Sequence, residues 1–189
     1  GVHRNRGYKA IEDLNILINY NGLLMHDCLE MYFKLENCEH LLCNPHLIRE
    51  LVFCHEQLGQ KWAKKMIDCI WEAYQEMQDT EDIDIKYWHK RYQQILEQGY
   101  VENPKSSIKR KKGQRGRLKQ SKALNLLDRF SKHKLKILKF LEDPGIPFSN
   151  NLAEQAVRMT KIKQKISGGF RKFESAQIFA RIRSFTATA

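Results

Sequence analysis

The sequence predicts a mostly helical α/β protein, and three observations support this prediction. Two apolar runs of strand length occur early in the chain, in the segments LLMHD and CEHLLCN. Most of the remaining chain has apolar residues at helical spacing. Two strands alone do not make a stable sheet. The sequence therefore leaves two folds open: a helical fold with a hairpin, or the later part of an α/β domain whose first strands lie upstream.

The composition is typical of a soluble, intracellular chain with one core. The 189 residues are 42% hydrophobic, which is enough for one domain. No apolar run approaches membrane-spanning length, and no signal peptide opens the chain. The five cysteines are an odd number without a regular framework, which favours reduced thiols. We therefore expect a cytoplasmic protein without a membrane partner.

The charge is divided unevenly along the chain. Residues 1–104 carry 11 Lys and Arg against 17 Asp and Glu, whereas residues 105–189 carry 22 against 5. A cationic half of this kind indicates a polyanionic partner, because binding releases the counterions condensed on phosphates. Nucleic acid is the expected polyanion, since an anionic membrane surface would also require a strongly apolar face to insert.

The first half of the chain begins with a helix, continues through both strands and returns to helix. RGYKAIEDLNIL has helical spacing and is followed by the turn residues YNG. LLMHD is predicted to be a buried strand with Asp27 at its C-terminal end, and CEHLLCN a second strand. Asn44-Pro45 suits the start of a helix, and residues 45–78 are predicted to form one or two helices.

The second half is predicted to be helical on both sides of a basic linker. DTEDIDIKYWHKRYQQILEQG should form a helix that begins at Asp79 or Thr80 and ends at Gly99. Residues 105–122 hold nine basic residues and no acidic ones, which predicts a solvated, mobile linker in the absence of a partner. ALNLLDRFSKHKLKILKFLED should form one basic amphipathic helix that PGIP ends. Two further helices are expected, around 151–166 and 173–187.

Two carboxylates are candidate metal ligands, and each also has a simpler interpretation. Asp27 ends a strand, where α/β sheets bind ligands, but it also suits a turn or a helix cap. Glu154 follows Asn151 by three residues, which is the spacing of a capping box. Glu154 also heads a cationic stripe of Arg158, Lys161 and Lys165 on one helix face. A carboxylate that holds Mg²⁺ beside groups that hold phosphate oxygens needs this arrangement.

Four potential zinc ligands lie close together in the sequence: Cys38, His40, Cys43 and His46. Their spacing is not that of a common zinc finger, because structural sites normally use well-separated pairs of ligands. Buried thiols and hydrogen-bonded histidines are the favoured interpretation, and zinc is the alternative.

Five blocks of the sequence, in this order, resemble the insertion sequence 66 family of bacterial transposases. They are RGYKAIEDLNIL, GLLMHD followed by the aromatic pair Tyr32-Phe33, CEHLLCNPHLIREL, GRLKQSKALNLLDRF, and IPFSNNLAEQAVRMTKIKQKISGGFR with AQIFARIRSF. The resemblance extends from about Gly7 to Phe185. It is weakest over residues 55–100.

The resemblance implies a ribonuclease-H-like catalytic domain with an Asp-Asp-Glu triad that holds two Mg²⁺ or Mn²⁺ ions. Asp27 would be the second acid, on the fourth strand, and Glu154 the last. Residues 1–54 would then hold the later strands and a helix of the core, and residues 55–122 a helical insertion after the fifth strand that ends in the basic linker. Residues 123–189 would return the glutamate to the core.

The resemblance also implies residues that support the site and residues that bind DNA. Cys43-Asn44-Pro45-His46 resembles the Cys/Asp-x-x-His element of transposases with a helical insertion, and Arg49 shares a helix face with His46. The asparagine pair Asn150 and Asn151 is expected to support the glutamate. The expected DNA-binding residues are Lys109, Arg110, Lys111, Lys112, Arg115, Arg117, Arg158, Lys161 and Lys165.

The chain departs from the family pattern in three places. No strand carrying an aspartate precedes Gly7, so the first triad acid is expected upstream and the chain alone is expected to be inactive. Ser149 and Gln155 stand where many members have aspartate and arginine.

The implied function is that of a bacterial, cytoplasmic cut-and-paste DNA transposase. It would act on transposon-end DNA and target DNA, as a homo-oligomer on paired ends. The alternative is a non-enzymatic, helical nucleic-acid-binding protein in which Glu154 only caps a helix.

Overall fold

The chain folds into two compact units. A computed structural model describes residues 1–5, 7–80, 82–104 and 120–188. The first unit comprises Gly1–His40 and Ser149–Ala189, and the second comprises Leu41–Phe148. The predicted division at residues 54 and 122 stays a prediction.

The first unit contains one helix and a small parallel sheet near its N-terminus. Helix α1 spans Tyr8–Leu14, strand β1 Leu23–His26 and strand β2 Glu39–Leu42, so the boundary between the units falls within β2. The pairing begins where the Glu39 N–H donates to the Gly22 carbonyl at 2.9 Å. The strands are parallel. A hairpin requires antiparallel strands, so the hairpin alternative is wrong.

Two long C-terminal helices complete the first unit. The predicted pair is confirmed as α7 (Asn151–Ser167) and α8 (Phe173–Thr188), which the left-handed Gly168 separates. The ring centroid of Phe170, in the connection between the two helices, lies 5.4 Å from that of Phe179 on α8. Every residue of α7 is described, and none is buried.

The second unit is a helical bundle. Its helices are α2 (Asn44–Leu58), α3 (Lys61–Asp79), α4 (Ile85–Glu102), α5 (Lys122–Lys132) and the short α6 (Lys134–Ile137). The predicted stretch 45–78 is thus two helices, divided at Gly59, which has a positive φ of 65° and closes α2. The core consists of fully buried apolar side chains: Leu47, Leu51, Trp62, Met66, Ile70, Tyr92, Leu127 and Phe130.

Helix α4 begins and ends later than predicted. Its N-cap is Asp84, whose carboxylate accepts from the Tyr87 N–H at 3.0 Å, and neither Asp79 nor Thr80 starts it. Gly99 does not end the helix either, since α4 continues to Glu102. The glycine is buried, and a Cβ there would lie 2.6 Å from Leu127 Cδ1. Close packing, and not helix termination, therefore explains Gly99.

The predicted single helix over residues 123–143 is broken into three pieces. Helix α5 ends at Lys132, and the ψ of 19° at its C-cap His133 departs from helical geometry. Helix α6 and the 3-10 turn Lys139–Leu141 follow. The broken segment still buries its apolar side chains, including Ile137, Phe140 and Leu141. Within the described residues, no helix is long and apolar enough to cross a membrane.

Candidate active site

Asp27 lies exposed directly after β1, as predicted. The chain turns sharply behind it, because Cys28 adopts a positive φ of 67°, which is costly for a residue other than glycine. The Cys28 N–H donates to His26 Nδ1 at 3.2 Å across this turn. A defined backbone turn therefore holds the carboxylate at the strand end.

A cluster of rings holds the end of β1 in place. His26 is 3% exposed, and its ring centroid lies 4.7 Å from that of Phe33, 5.1 Å from that of Tyr32 and 5.3 Å from that of His40. His40 Nε2 in turn lies 2.9 Å from the Leu35 carbonyl oxygen. The strand residue just before Asp27 is thus locked by packing, which restricts where the carboxylate points.

Tyr32 adds a neutral hydroxyl to the surroundings of Asp27. Burial, and to a smaller extent the negative charge of Asp27, raises the pKa of the Tyr32 hydroxyl. The hydroxyl therefore stays protonated and can donate a hydrogen bond at neutral pH. The sequence identified Tyr32 only as one residue of the aromatic pair Tyr32-Phe33. The position of this pair shortly after Asp27 was the feature that could have predicted a hydroxyl near the acid.

Glu154 lies half-buried in the first turn of α7. Its N–H donates to the Asn150 carbonyl at 3.1 Å, which closes the first turn. The N-cap is Asn150, not Asn151, and the helix start makes no side-chain capping hydrogen bond. The predicted capping box is therefore wrong. The dipole of α7 still favours a negative charge at this position.

The cationic stripe below Glu154 is exposed along its whole length. Arg158, Lys161 and Lys165 follow at helical spacing on α7, and all three side chains are open to solvent. Asp27, Glu154 and this stripe belong to the same compact unit. Among the described residues, Asp27 belongs to no group of three or more His, Cys, Asp or Glu side chains near enough to share an ion.

The Cys43–His46 element lies at the start of α2 in the second unit. His46 Nδ1 lies 3.1 Å from Cys43 Sγ, and the thiol is 1% exposed. Arg49, one turn further along, is exposed. The other predicted zinc candidates are in the first unit, where Cys38 Sγ and His40 Nε2 both contact the Leu35 carbonyl.

The sequence predicted Asn44 only as the cap of a helix; in the structure Cys43 is the N-cap, and Asn44 fixes this element to the rest of its unit. Asn44 is 2% exposed, and its main-chain N–H donates to the Phe148 carbonyl at 3.2 Å. Its side-chain Nδ2 donates to the Ile137 carbonyl at 3.2 Å. These two hydrogen bonds join the start of α2 to segments that are distant in sequence. Phe148 is followed directly by the residues that lead into α7.

Most of the predicted DNA-binding residues cannot be placed. Lys109, Arg110, Lys111, Lys112, Arg115 and Arg117 lie outside the described residues.

Comparison with known protein families gives a match over most of the chain. The model of the transposase IS66 family matches residues 1–178. No curated protein and no solved structure gives a significant match.

Proposed function

The chain belongs to the IS66 family of transposases, and from this premise we propose that it is part of an Asp-Asp-Glu catalytic domain of ribonuclease-H-like fold. Asp27 and Glu154 are two of its metal ligands. The observation that carries the proposal is the placement of both acids in one compact unit, one at a strand end and one in the first turn of a helix. The reaction is hydrolysis of phosphodiesters and strand transfer at transposon ends.

The donor set suits Mg²⁺ or Mn²⁺. Both candidates are carboxylates, and oxygen ligands are those that Mg²⁺ prefers. Two such ions, when bound, supply activation of the attacking oxygen and stabilisation of the leaving oxygen. The chain's own contribution is to fix the ligands: the packed His26 restrains Asp27, and the first turn of α7 restrains Glu154. The neutral Tyr32 hydroxyl is available as a donor beside Asp27.

The substrates are transposon-end DNA and target DNA, and two or more copies of the protein act together on paired ends. Arg158, Lys161 and Lys165 contact the phosphate backbone near Glu154, which explains why an exposed cationic stripe follows this acid. The basic residues 105–119 add contacts that are independent of base sequence.

The metal assignment can be tested without catalysis. Fe²⁺ can replace Mg²⁺ at carboxylate sites, and with ascorbate and peroxide it cuts a polypeptide beside its ligands. We expect cuts next to residues 27 and 154, and we expect Asp27→Asn or Glu154→Gln to suppress them. Glu174→Gln is the matched control, because Glu174 is an exposed acid in the first turn of α8 and should leave the cuts unchanged.

The catalytic assignment requires a second measurement. Mn²⁺-dependent strand transfer by the full natural protein should fall about 100-fold or more in Asp27→Asn and Glu154→Gln, because each removes a metal ligand. DNA binding should survive in both. Full activity of both variants would contradict the assignment. If the full natural protein binds DNA but neither cuts itself with Fe²⁺ nor transfers strands, the non-enzymatic alternative is correct.

A further inference from the structure

A groove of about 540 Å³ lies between α2 and α5 in the second unit. Its volume is within the range of small-molecule sites. Its walls combine three cations, one acid and an aromatic ring: Arg49, Lys122, Arg129, Glu50 and Phe53. None of these five residues is a proposed metal ligand.

The groove presents an exposed aromatic ring with a cation over its face. Phe53 is 42% exposed, in contrast to the buried Trp62, Tyr92 and Phe130 of the same unit. Lys122 Nζ lies 5.2 Å from the centroid of the Phe53 ring. An exposed ring accepts a stacked base of any sequence, and a base that stacks on Phe53 would displace Lys122 from the ring towards the phosphate that the base carries.

The cations of the groove are incompletely satisfied. Arg129 pairs with Glu50, yet both side chains remain partly open to solvent. The buried Arg129 Nε has no hydrogen-bond partner among the described residues. A buried donor of this kind normally has a partner, and a phosphate oxygen would supply one if the guanidinium moved into the groove. Arg49 is exposed on the α2 wall and adds a third positive charge.

We propose that this groove binds an unpaired nucleotide of a single-stranded nucleic acid. The base stacks on Phe53, and Lys122, Arg49 and Arg129 hold the adjoining phosphate. Charge complementarity favours this ligand, because the groove carries three cations against one acid and α5 follows residues 105–119, which hold eight Lys and Arg and no acid. The inference rests on the proposed function in that it takes nucleic acid as the ligand.

Glu50 provides a further test of the proposed nucleotide site. Its carboxylate pairs with Arg129 Nη2, so its negative charge opposes a phosphate that approaches the same guanidinium. Glu50→Gln should therefore strengthen binding of single strands, although it removes a stabilising ion pair. A groove with a purely structural role would give the opposite result or none.

Fluorescence anisotropy with short oligonucleotides in EDTA tests the site without metal. The ligands are oligothymidylate, oligouridylate, a strand of abasic sites and a duplex of equal length. Phe53→Leu should weaken binding of oligothymidylate by about 5-fold to 150-fold, the range for loss of a stacked base, and leave the abasic strand unchanged. Phe53→Trp should restore binding. Tyr87→Leu removes a similarly exposed ring from α4. It should change neither the affinity for oligothymidylate nor the affinity for the abasic strand.

The other oligonucleotides test which part of the nucleic acid the groove recognises. Equal affinities for oligothymidylate and oligouridylate are expected, since neither a stacking ring nor a phosphate contact selects the sugar. The proposal is overturned if Phe53→Leu weakens binding of the abasic strand equally, if Glu50→Gln fails to strengthen binding, or if polyglutamate of equal charge competes as well as DNA.

The two proposals can fail separately. Phe53→Leu should weaken oligothymidylate binding in EDTA by the same factor in the natural protein and in the Asp27→Asn and Glu154→Gln backgrounds, because neither acid lines the groove. Phe53→Leu should leave the Fe²⁺ cuts next to residues 27 and 154 unchanged.

Discussion

Cys69 makes the stability of the fold sensitive to alkaline pH. The side chain lies on α3 with no exposed surface, and burial raises the pKa of its thiol to about 11. Arg91 lowers this pKa and Glu72 raises it, each by less than burial does. In the unfolded chain the thiol titrates near 9. The neutral thiol thus contributes stability that is complete below pH 9 and declines between pH 9 and pH 11.

We expect the free energy of unfolding to fall by about 2 to 3 kcal/mol over that interval from this thiol alone. Urea unfolding at pH 7, 9 and 10.5 measures the decrease, and Cys69→Ala should reduce it. Cys28→Ala, at a half-buried position, serves as the control for the removal of one thiol. If the free energy of unfolding falls equally with pH in the natural protein and in Cys69→Ala, the Cys69 thiol is not the cause of the decrease.

Local sequence patterns located Asp27 and the helix that carries Glu154, but not what surrounds them. A strand of apolar residues followed by an acid predicts the position of Asp27, and the structure agrees. The roles of these acids stay predictions. The capping box failed because the helix starts one residue away from where the pattern assumed, with Asn150 as its N-cap. Asn44 could not be found from local pattern, since its side-chain partner Ile137 lies 93 positions away.

Helix α4 depends on a glycine where it passes α3 and α5. A Cβ at Gly99 would lie 2.6 Å from Leu127 Cδ1 and 3.1 Å from Trp62 Cγ. Leu127 and Trp62 are fully buried and have little room to move. Alanine gains about 1 kcal/mol of helix propensity over glycine, whereas overpacking costs about 1 to 3 kcal/mol. We expect Gly99→Ala to lower the free energy of unfolding by up to about 2 kcal/mol.

Chemical denaturation of the purified variant measures this decrease. Gln94→Ala, at an exposed position of the same helix, should change stability by less than about 0.5 kcal/mol. If Gly99→Ala is as stable as the natural protein or more so, α4 can move away from its neighbours and the close-packing explanation is wrong.

The types of element were predictable, whereas several of their ends were not. Apolar spacing identified both strands and the long helices, because a helix or strand must bury one face. The rule that glycine ends a helix failed at Gly99, where tertiary packing requires a residue without a side chain. The break at His133 lies within a continuous amphipathic pattern, and burial of both pieces hides it from sequence analysis.

At the scale of the whole molecule, the uneven charge predicts how DNA affinity depends on salt. Residues 105–189 carry 22 Lys and Arg against 5 acids, so binding should release many counterions and weaken steeply as salt rises. Neutralising residues 109–112 to glutamine removes four of these cations. We expect the slope of log affinity against log salt to become shallower by about 0.7 to 0.9 for each DNA phosphate that the variant no longer neutralises.

A control variant is needed to separate the effect of the position of the cations from the effect of their number. A matched variant neutralises four exposed lysines in the acidic half: Lys64, Lys65, Lys86 and Lys90. Both variants have the same net charge, so a non-specific effect of total charge would change both slopes equally. Only the first variant should show a substantially shallower slope if DNA lies along the basic half. Affinity that does not depend on salt, or equal slopes in the two variants, would show that the charge asymmetry does not mark the DNA-binding surface.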